Sequence, residues 1–438
     1  MAVTDKNRIS ITDREILHLA VPSIITNITT PLLGLMDVAI TGHMGSAAYI
    51  GAIAVGGSMF NMLYWLFGFL RMGSSGMTAQ AYGNHDTYRQ SVILKQALTA
   101  GAIVALSMIM LQRPICSLAL DFMDVDHETR RLAASYFLIL IWGAPATLCL
   151  YALTGWYLGM QNSRIPMWVS IFVNISNIAV SLLLVYGFGL GIEGVAYGTL
   201  SAQWLGFILA MSICIHKYRI RHTGWSDIMQ IDSLKRFFSV NTDIFLRTVC
   251  LVAVTVWFTR MGAMQGETML AVNALLMQFF TLFSYFMDGF AFAGEAMTGK
   301  YIGRRNDSML RLTIRHLCLW GIGIAALFTL IYAFGGNLIL RLLSSETTVV
   351  NAASDFLPWI FTVPAAGFLA FTWDGIFIGA TATRSMLMSM FGATAVFFIT
   401  VTVLHPSLGN HSLWLAFILY LFARGIILTF LAPYKIKI

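Results

Sequence analysis

The chain has 438 residues, of which 58% are hydrophobic and only 11% charged, with a net charge of +7. Soluble domains carry about 25% charged residues, so this composition excludes a water-soluble globular domain and points to a polytopic membrane protein. The positive excess does not mark a nucleic-acid binder, because the basic residues collect in short loops between apolar runs, with no separate basic domain.

The polar opening "MAVTDKNRISITDRE" precedes an apolar stretch too long for a signal-peptide core, and is read as the cytoplasmic start of an uncleaved first span. A spanning helix needs about 20 mostly apolar residues. Twelve stretches qualify in chain order: 16–40, 47–71, 91–111, 131–155, 166–187, 194–215, 239–260, 268–296, 312–334, 352–379, 385–404 and 412–432. The predicted fold is therefore an all-α polytopic membrane protein of twelve transmembrane helices. With both termini in the cytoplasm, 20 of the 27 Lys and Arg residues fall on inside segments, and the opposite orientation would invert that bias.

The chain also repeats itself. "MTAQAYGNHD" at 77–86 resembles "MTGKYIGRRND" at 297–307, so that Met77, Thr78 and Gly83 match Met297, Thr298 and Gly303. "TGWYLGMQNSR" at 154–164 resembles "DGIFIGATATR" at 374–384, with Gly155, Gly159 and Arg164 matching Gly375, Gly379 and Arg384. Both matches share an offset of 220. An even six spans per half makes this a parallel repeat of two six-helix lobes, an arrangement that secondary transporters use. The expected division is an N-terminal lobe over 1–215, a basic cytoplasmic linker over 216–238 and a C-terminal lobe over 239–438.

Acidic residues inside spans are costly and mark functional sites by default. Asp37, Asp288, Glu295 and Asp374 lie well inside. Asp37 follows Pro22 and Pro31 in the first span, where proline bends a helix and frees carbonyls. No basic residue lies inside the first six spans away from their ends, so a salt bridge to Asp37 lacks a donor there; a structural, end-capping carboxylate is the other reading. In the fifth span Asn174, Asn177 and Ser181 share one helix face, either as a site or as interhelical hydrogen-bond glue. Tyr136 and Thr199 are candidates for the same polar cavity. Asp288 and Glu295, seven apart, form a possible C-lobe polar site or gate with Asp374, and Arg247 is their candidate partner. Plentiful Met and Phe fit either an adaptable apolar cavity or ordinary membrane cores.

Five cysteines (Cys116, Cys149, Cys214, Cys250 and Cys318) form no CxxC pair, and no structural metal site or disulfide framework is expected. There is no HExxH and no plausible Ser–His arrangement, which argues against an enzyme. His43, His127, His216, His222 and His316 sit at span edges and read as solvated interfacial residues.

Taken together, "PLLGLMDVAITGHMG", "FGFLRMGSSGMTAQAYG", "GWYLGMQNSRIP", "FMDGFAFAGEAMTGKYIG" and "DGIFIGATATRSM" strongly resemble the multidrug and toxic compound extrusion (MATE) family, in its DinF-like branch. The resemblance covers all twelve spans. It implies two six-helix lobes around a central cleft and export of cationic or amphipathic organic compounds against inward H+ or Na+. It also implies that Asp37 is the N-lobe coupling acid, Pro22 the helix-bending proline, and Asn177, Tyr136 and Thr199 its polar companions. Related members commonly carry a second aspartate where this chain has Ser181. One carboxylate in place of two favours H+ over Na+ as the coupling ion, although the Ser181 hydroxyl remains a neutral Na+ ligand beside Asp37. The expected setting is a monomer in a bacterial inner membrane, with both termini cytoplasmic, no cofactor and no nucleic acid. The alternative is a flippase for a lipid-linked or other endogenous amphipathic metabolite, and a third reading is a non-transporting receptor.

Overall fold

The computed structural model describes residues 2–42, 47–123, 126–218 and 230–436, with isolated positions in the intervening loop; side chains are described from Thr12 onward, outside 43–47. His43 and His222 lie outside the described residues.

Every regular element described is helical. The first half comprises α1 (Ala2–Gly42), α2 (Ala47–Leu66), α3 (Phe69–Gly83), α4 (Thr87–Met110), α5 (Gln112–Met123), α6 (His127–Leu140), α7 (Ala144–Gly159), α8 (Arg164–Leu182) and α9 (Gly191–Lys217). The second comprises α10 (Ile231–Ala263), α11 (Glu267–Gly303), α12 (Asp307–Leu343), α13 (Thr347–Ser354), α14 (Leu357–Gly379), α15 (Thr383–Leu408) and α16 (Asn410–Ile436). A 3-10 turn at Ile141–Gly143 joins α6 to α7, and a π-helical turn at Leu183–Gly187 ends α8.

Twelve of the resulting helical segments are long and apolar enough to cross a membrane. Several outrun the spans read from hydropathy. The 37 residues of α11 and of α12 make rods about 55 Å long at 1.5 Å per residue, against a hydrocarbon core of about 30 Å. Their polar ends continue the helix beyond the apolar stretch, where hydropathy falls but backbone hydrogen bonding does not. Likewise α1 runs unbroken through Pro22 and Pro31. Serine and threonine side chains take up backbone carbonyls along it: Ser23 Oγ donates to the Leu19 carbonyl at 2.8 Å and Thr30 Oγ1 to that of Thr26 at 2.8 Å.

The repeated glycines mark two equivalent helix crossings. A Cβ on Gly155 would stand 2.1 Å from the Arg71 carbonyl oxygen, and one on Gly375 would stand 2.2 Å from that of Ala291. One turn on, Gly159 faces Thr78 and Ser75, while Gly379 faces Thr298 and Glu295. So α7 lies on α3 as α14 lies on α11, backbone against backbone, and only glycine fits. The turns that follow repeat too. His85 and Arg305 (φ 56° and 52°), and Gln161 and Thr381 (φ 63° and 54°), adopt the left-handed conformation at matched positions. After the first pair, the Asp86 and Asn306 N–H groups return to the carbonyls of Ala81 and Tyr301 at 2.9 and 3.0 Å, closing the helix. The same two side chains then accept the Arg89 and Met309 N–H groups and cap α4 and α12.

The chain separates into two compact units: Ile25–Asn241, and Met1–Ile24 with Thr242–Ile438. This differs from the division at 216–238 expected from the repeat, because each unit takes the opening turns of the helix that begins the other half. In the second unit, Glu15 accepts from Lys300 Nζ at 2.9 Å and Tyr301 OH at 3.1 Å, and Asp13 meets His316 Nδ1 at 2.7 Å and Trp320 Nε1 at 3.0 Å. Gly289 leaves room there for Ala20 and Ile24. In the first unit, Gln96 donates to Ser233 at 3.0 Å, a neutral pair at the positions matched to His316 and Asp13; Arg236 donates to Gln80, the counterpart of Lys300, at 3.0 Å, and Gly73 leaves room for Asn241. His316 is accordingly buried and paired, where a solvated interfacial histidine was expected.

Within Ile25–Asn241 the core runs through Phe60, stacked on Phe137 at 4.8 Å, with Tyr136 beside it. In the other unit Phe279, Phe283, Phe328, Tyr332 and Phe371 meet edge to face at 5.1 to 5.9 Å, so these phenylalanines fill a core. Large apolar side chains such as Phe334 and Phe430 point outward, as lipid requires.

Gly155→Ala and Gly375→Ala are expected to lower the thermal unfolding midpoint in detergent, each by overpacking worth about 1–3 kcal/mol. Gly323→Ala, whose Cβ meets nothing within 4 Å, should leave the midpoint unchanged or raise it. Equal midpoints for all three variants would remove the close-crossing argument.

A buried carboxylate held by neutral donors

Asp37 lies five residues before the end of α1, at 1% exposure. Three helices bring neutral donors to it. From α8, Asn177 Nδ2 donates to Asp37 Oδ1 at 3.3 Å. From α9, Thr199 Oγ1 donates to Oδ2 at 3.1 Å, and from α6 the Tyr136 hydroxyl donates to the same oxygen at 3.4 Å. Asn177 Nδ2 also donates to Thr199 Oγ1 at 2.7 Å, which joins the donors to each other. Thr199 has one hydroxyl proton, so its 3.1 Å approach to the Val195 carbonyl competes with its bond to Asp37. All four residues belong to the unit Ile25–Asn241, and among the described residues no cation pairs with Asp37.

Small residues make this convergence possible. A Cβ on Gly56 of α2 would meet the Tyr136 ring at 2.6 Å. A Cβ on Gly198 of α9 would meet Ser181 Oγ at 2.0 Å and the Ser181 backbone at 2.8 Å, so α9 seats against α8 beside Asn177 and Ser181. Ser181 is buried, but it makes no hydrogen bond to Asp37; its Oγ and the Asn177 Oδ1 have no partner among the described residues. Asn174 of the same face donates to the Thr29 carbonyl at 2.8 Å, tying α8 to α1, which is the glue reading for that residue. Pro22 is buried in α1 and belongs to the other unit.

Two features here have no signature in the sequence. The π-helical turn begins two residues after Ser181 and carries Tyr186, whose hydroxyl reaches the Ile40 carbonyl at 3.5 Å. Thr41 Oγ1 donates to the Asp37 carbonyl at 2.9 Å, which pins the acid's own backbone.

Asp374 on α14 is ion-paired with Arg247 of α10 and Arg424 of α16. Arg247 thus meets Asp374, where Asp288 or Glu295 had equal standing in the sequence; rotation about the α10 axis decides the matter. Glu295 is buried on α11 and Asp288 half-buried. Asp243 accepts from Thr383 Oγ1 at 2.8 Å. Among the described residues no group of three His, Cys, Asp or Glu could hold a metal ion.

The cage can do one thing well. Its three neighbours present hydrogens to a carboxylate and so replace the water it has lost. Replacing Thr199 with Val should therefore destabilise the fold by about 1–3 kcal/mol, because a buried acceptor and the Asn177 amide both lose a partner. Thr199→Ser should stay close to the parent. Unfolding midpoints of the two variants in detergent provide the comparison.

Comparison with known proteins places the chain. The MatE family model matches it twice, over residues 22–183 and 243–404. The two matches start 221 residues apart, within one residue of the offset of the internal repeat. DNA damage-inducible protein F of Escherichia coli (strain K12) is 36% identical over 95% of this chain and 91% of its own length. A protein described as probable multidrug resistance protein NorM, from Photorhabdus laumondii, is 23% identical over 95% of this chain and 94% of its own. The bent form of the Vibrio cholerae MATE transporter VcmN superposes with a TM-score of 0.88 at 16% identity, covering 98% of each chain, and shows the common fold. With a doubled family match over the same repeat that the glycine crossings display, and a close relative along nearly its whole length, the chain belongs to the MatE family of multi-pass membrane transporters, in the branch of the Escherichia coli protein.

Proposed function

We propose that this transporter is a secondary active antiporter that exports cationic or amphipathic organic compounds in exchange for H+, with Asp37 as the group that carries the proton. The observation that carries the reading is the Asp37 cage: a carboxylate at 1% exposure, met by three neutral donors and by no cation among the described residues. Such a group can change its charge without breaking an ion pair. The Photorhabdus relative's description as a multidrug resistance protein supports the substrate class.

Protonation turns an acceptor-only carboxylate into a group that donates one hydrogen bond. One of the three donors then loses its acceptor. The Asn177 Oδ1, unpartnered as things stand, is one turn of the amide away from accepting the new proton. The Tyr136 and Thr199 hydroxyls can rotate in the same way. The cage therefore has two hydrogen-bonding patterns, one for each charge state, and export follows if the two patterns favour different conformations of the unit.

Na+ asks for the opposite. A hard cation needs several oxygen lone pairs turned towards it, whereas Asn177 turns its N–H towards Asp37. Ser181 adds no second negative charge. These points favour H+ over Na+. The loop bias of Lys and Arg supports both termini in the cytoplasm of a bacterial cell, with the protein in the inner membrane, and a monomer suffices because the whole cage lies within one chain.

The test is efflux of a fluorescent organic cation from proteoliposomes under a pH gradient or a Na+ gradient, for the parent and for Asp37→Asn. Efflux that follows the pH gradient and drops at least tenfold in Asp37→Asn is expected. Efflux driven by Na+ alone would overturn the choice of ion, and no cation movement under either gradient would favour a lipid-precursor flippase instead.

A further inference from the structure

We propose that Arg247, Arg424 and Asp374 form an oxyanion-binding site in the second unit, one that takes a carboxylate or phosphate group. The cluster is unbalanced. Two guanidinium groups share one carboxylate, and both donate from Nη2 to the same oxygen, Asp374 Oδ2. The formal charge of the three is +1. Their side chains are 8%, 4% and 10% exposed, so the excess charge is largely withdrawn from water.

The donors are also unspent. The Nε atoms of Arg247 and Arg424 are both buried and have no acceptor among the described residues. A guanidinium offers a planar fork of N–H groups that matches two oxygens of a carboxylate or phosphate. Here Asp374 takes one nitrogen of each fork, and the Tyr420 hydroxyl is a further partner of Arg424. Buried charged donors without acceptors are uncommon in finished cores, and an ion pair meant only to hold helices together would use them.

Position argues the same way. The residues 220 places earlier are Asn27, Thr154 and Trp204, all neutral. The crossing at Gly375, beside Asp374, is matched by that at Gly155, beside the neutral Thr154. That crossing therefore does not need the cluster. The surroundings hold it still instead: the Arg424 guanidinium lies 5.5 Å from the Tyr420 ring centre, Tyr420 donates to Met390 Sδ at 3.1 Å, and Trp373 Nε1 donates to Thr429 at 2.8 Å. Asp374 occupies part of the acceptor space and so competes with an incoming oxyanion. The site reads charge opposite to that read at Asp37, and it fits a free inorganic anion or the acidic group of an organic solute. The inference does not depend on proton-driven export, since binding can be measured without a gradient.

Unfolding midpoints of the purified full-length protein in detergent provide the test, in Tris buffer with chloride exchanged for inorganic phosphate or for benzoate at constant ionic strength and pH. Saturable stabilisation of the parent is expected, with an apparent affinity that falls at least tenfold in Arg247→Gln and in Arg424→Lys, which keeps the charge but loses the fork. Asp374→Asn should bind at least as tightly as the parent and recover part of any lost stability when the anion is added. Stabilisation by benzoate alone identifies an organic acid as the ligand class, and stabilisation by both shows that a free oxyanion suffices. Midpoints that do not respond to either anion in the parent, or that respond equally in the arginine variants, would overturn the site. Should Asp374→Asn fail to fold, the parent and Arg424→Lys titrations still decide.

Discussion

A carboxylate removed from water has to be given back the hydrogen bonds and the opposing charge that water supplied, or it does not stay ionised. This protein meets that constraint in two different ways. Around Asp37 the replacement consists of neutral donors, an amide and two hydroxyls, all of which can rotate. Around Asp374 it consists of two arginine guanidinium groups. The first arrangement tolerates a change of charge, since every neighbour can reverse or redirect its hydrogen bond. The second does not, because neutral Asp374 would leave two buried cations facing each other. The neutral cage belongs to the first unit, and the arginine pair to the second.

Both arrangements rest on a backbone framework that the two halves share. Gly155 and Gly159 on one side, and Gly375 and Gly379 on the other, let pairs of helices touch at main-chain distance. Left-handed residues at His85, Arg305, Gln161 and Thr381 end the same helices in the same way. Contacts between backbones do not depend on side-chain identity elsewhere on the helix. That independence lets one half place Thr154 where the other places Asp374 without altering the crossing. Symmetry of the main chain and asymmetry of the chemistry are thus compatible, and each unit is free to carry a different charge.

Much of this was legible in the sequence, for identifiable reasons. Apolar runs report the spans because lipid imposes a length and a composition on them. Glycines recurring at one offset report the repeat because nothing larger fits the crossings. Asp37 stood out because an acid in an apolar run is costly, and the i, i+4 spacing of Asn177 and Ser181 put both on the buried face. What escaped depends on three-dimensional rotation. Arg247 could have faced any of three acids, and only the orientation of α10 selects Asp374. Arg424, distant in sequence from both, arrives on α16. The π-helical turn after Ser181 has no composition of its own. The burial of His316 escaped for a further reason, since its partner Asp13 sits in a polar opening segment that reads as solvated tail.

That opening segment has a consequence for how the chain is made. Residues 12–24 are completed by partners near positions 289–320, and the start of α10 completes a unit that begins at residue 25. Neither half of the gene encodes a whole unit. At 5–20 residues per second, roughly 15 to 50 seconds separate the synthesis of Ala20 from that of Gly289. For that interval the first helix must wait in the insertion machinery or against temporary neighbours, with Asp13 and Glu15 held at a watery boundary until His316 and Lys300 emerge. Assembly of this protein is consequently a single event that closes late, and two halves expressed separately would each leave the other's first helix without a seat.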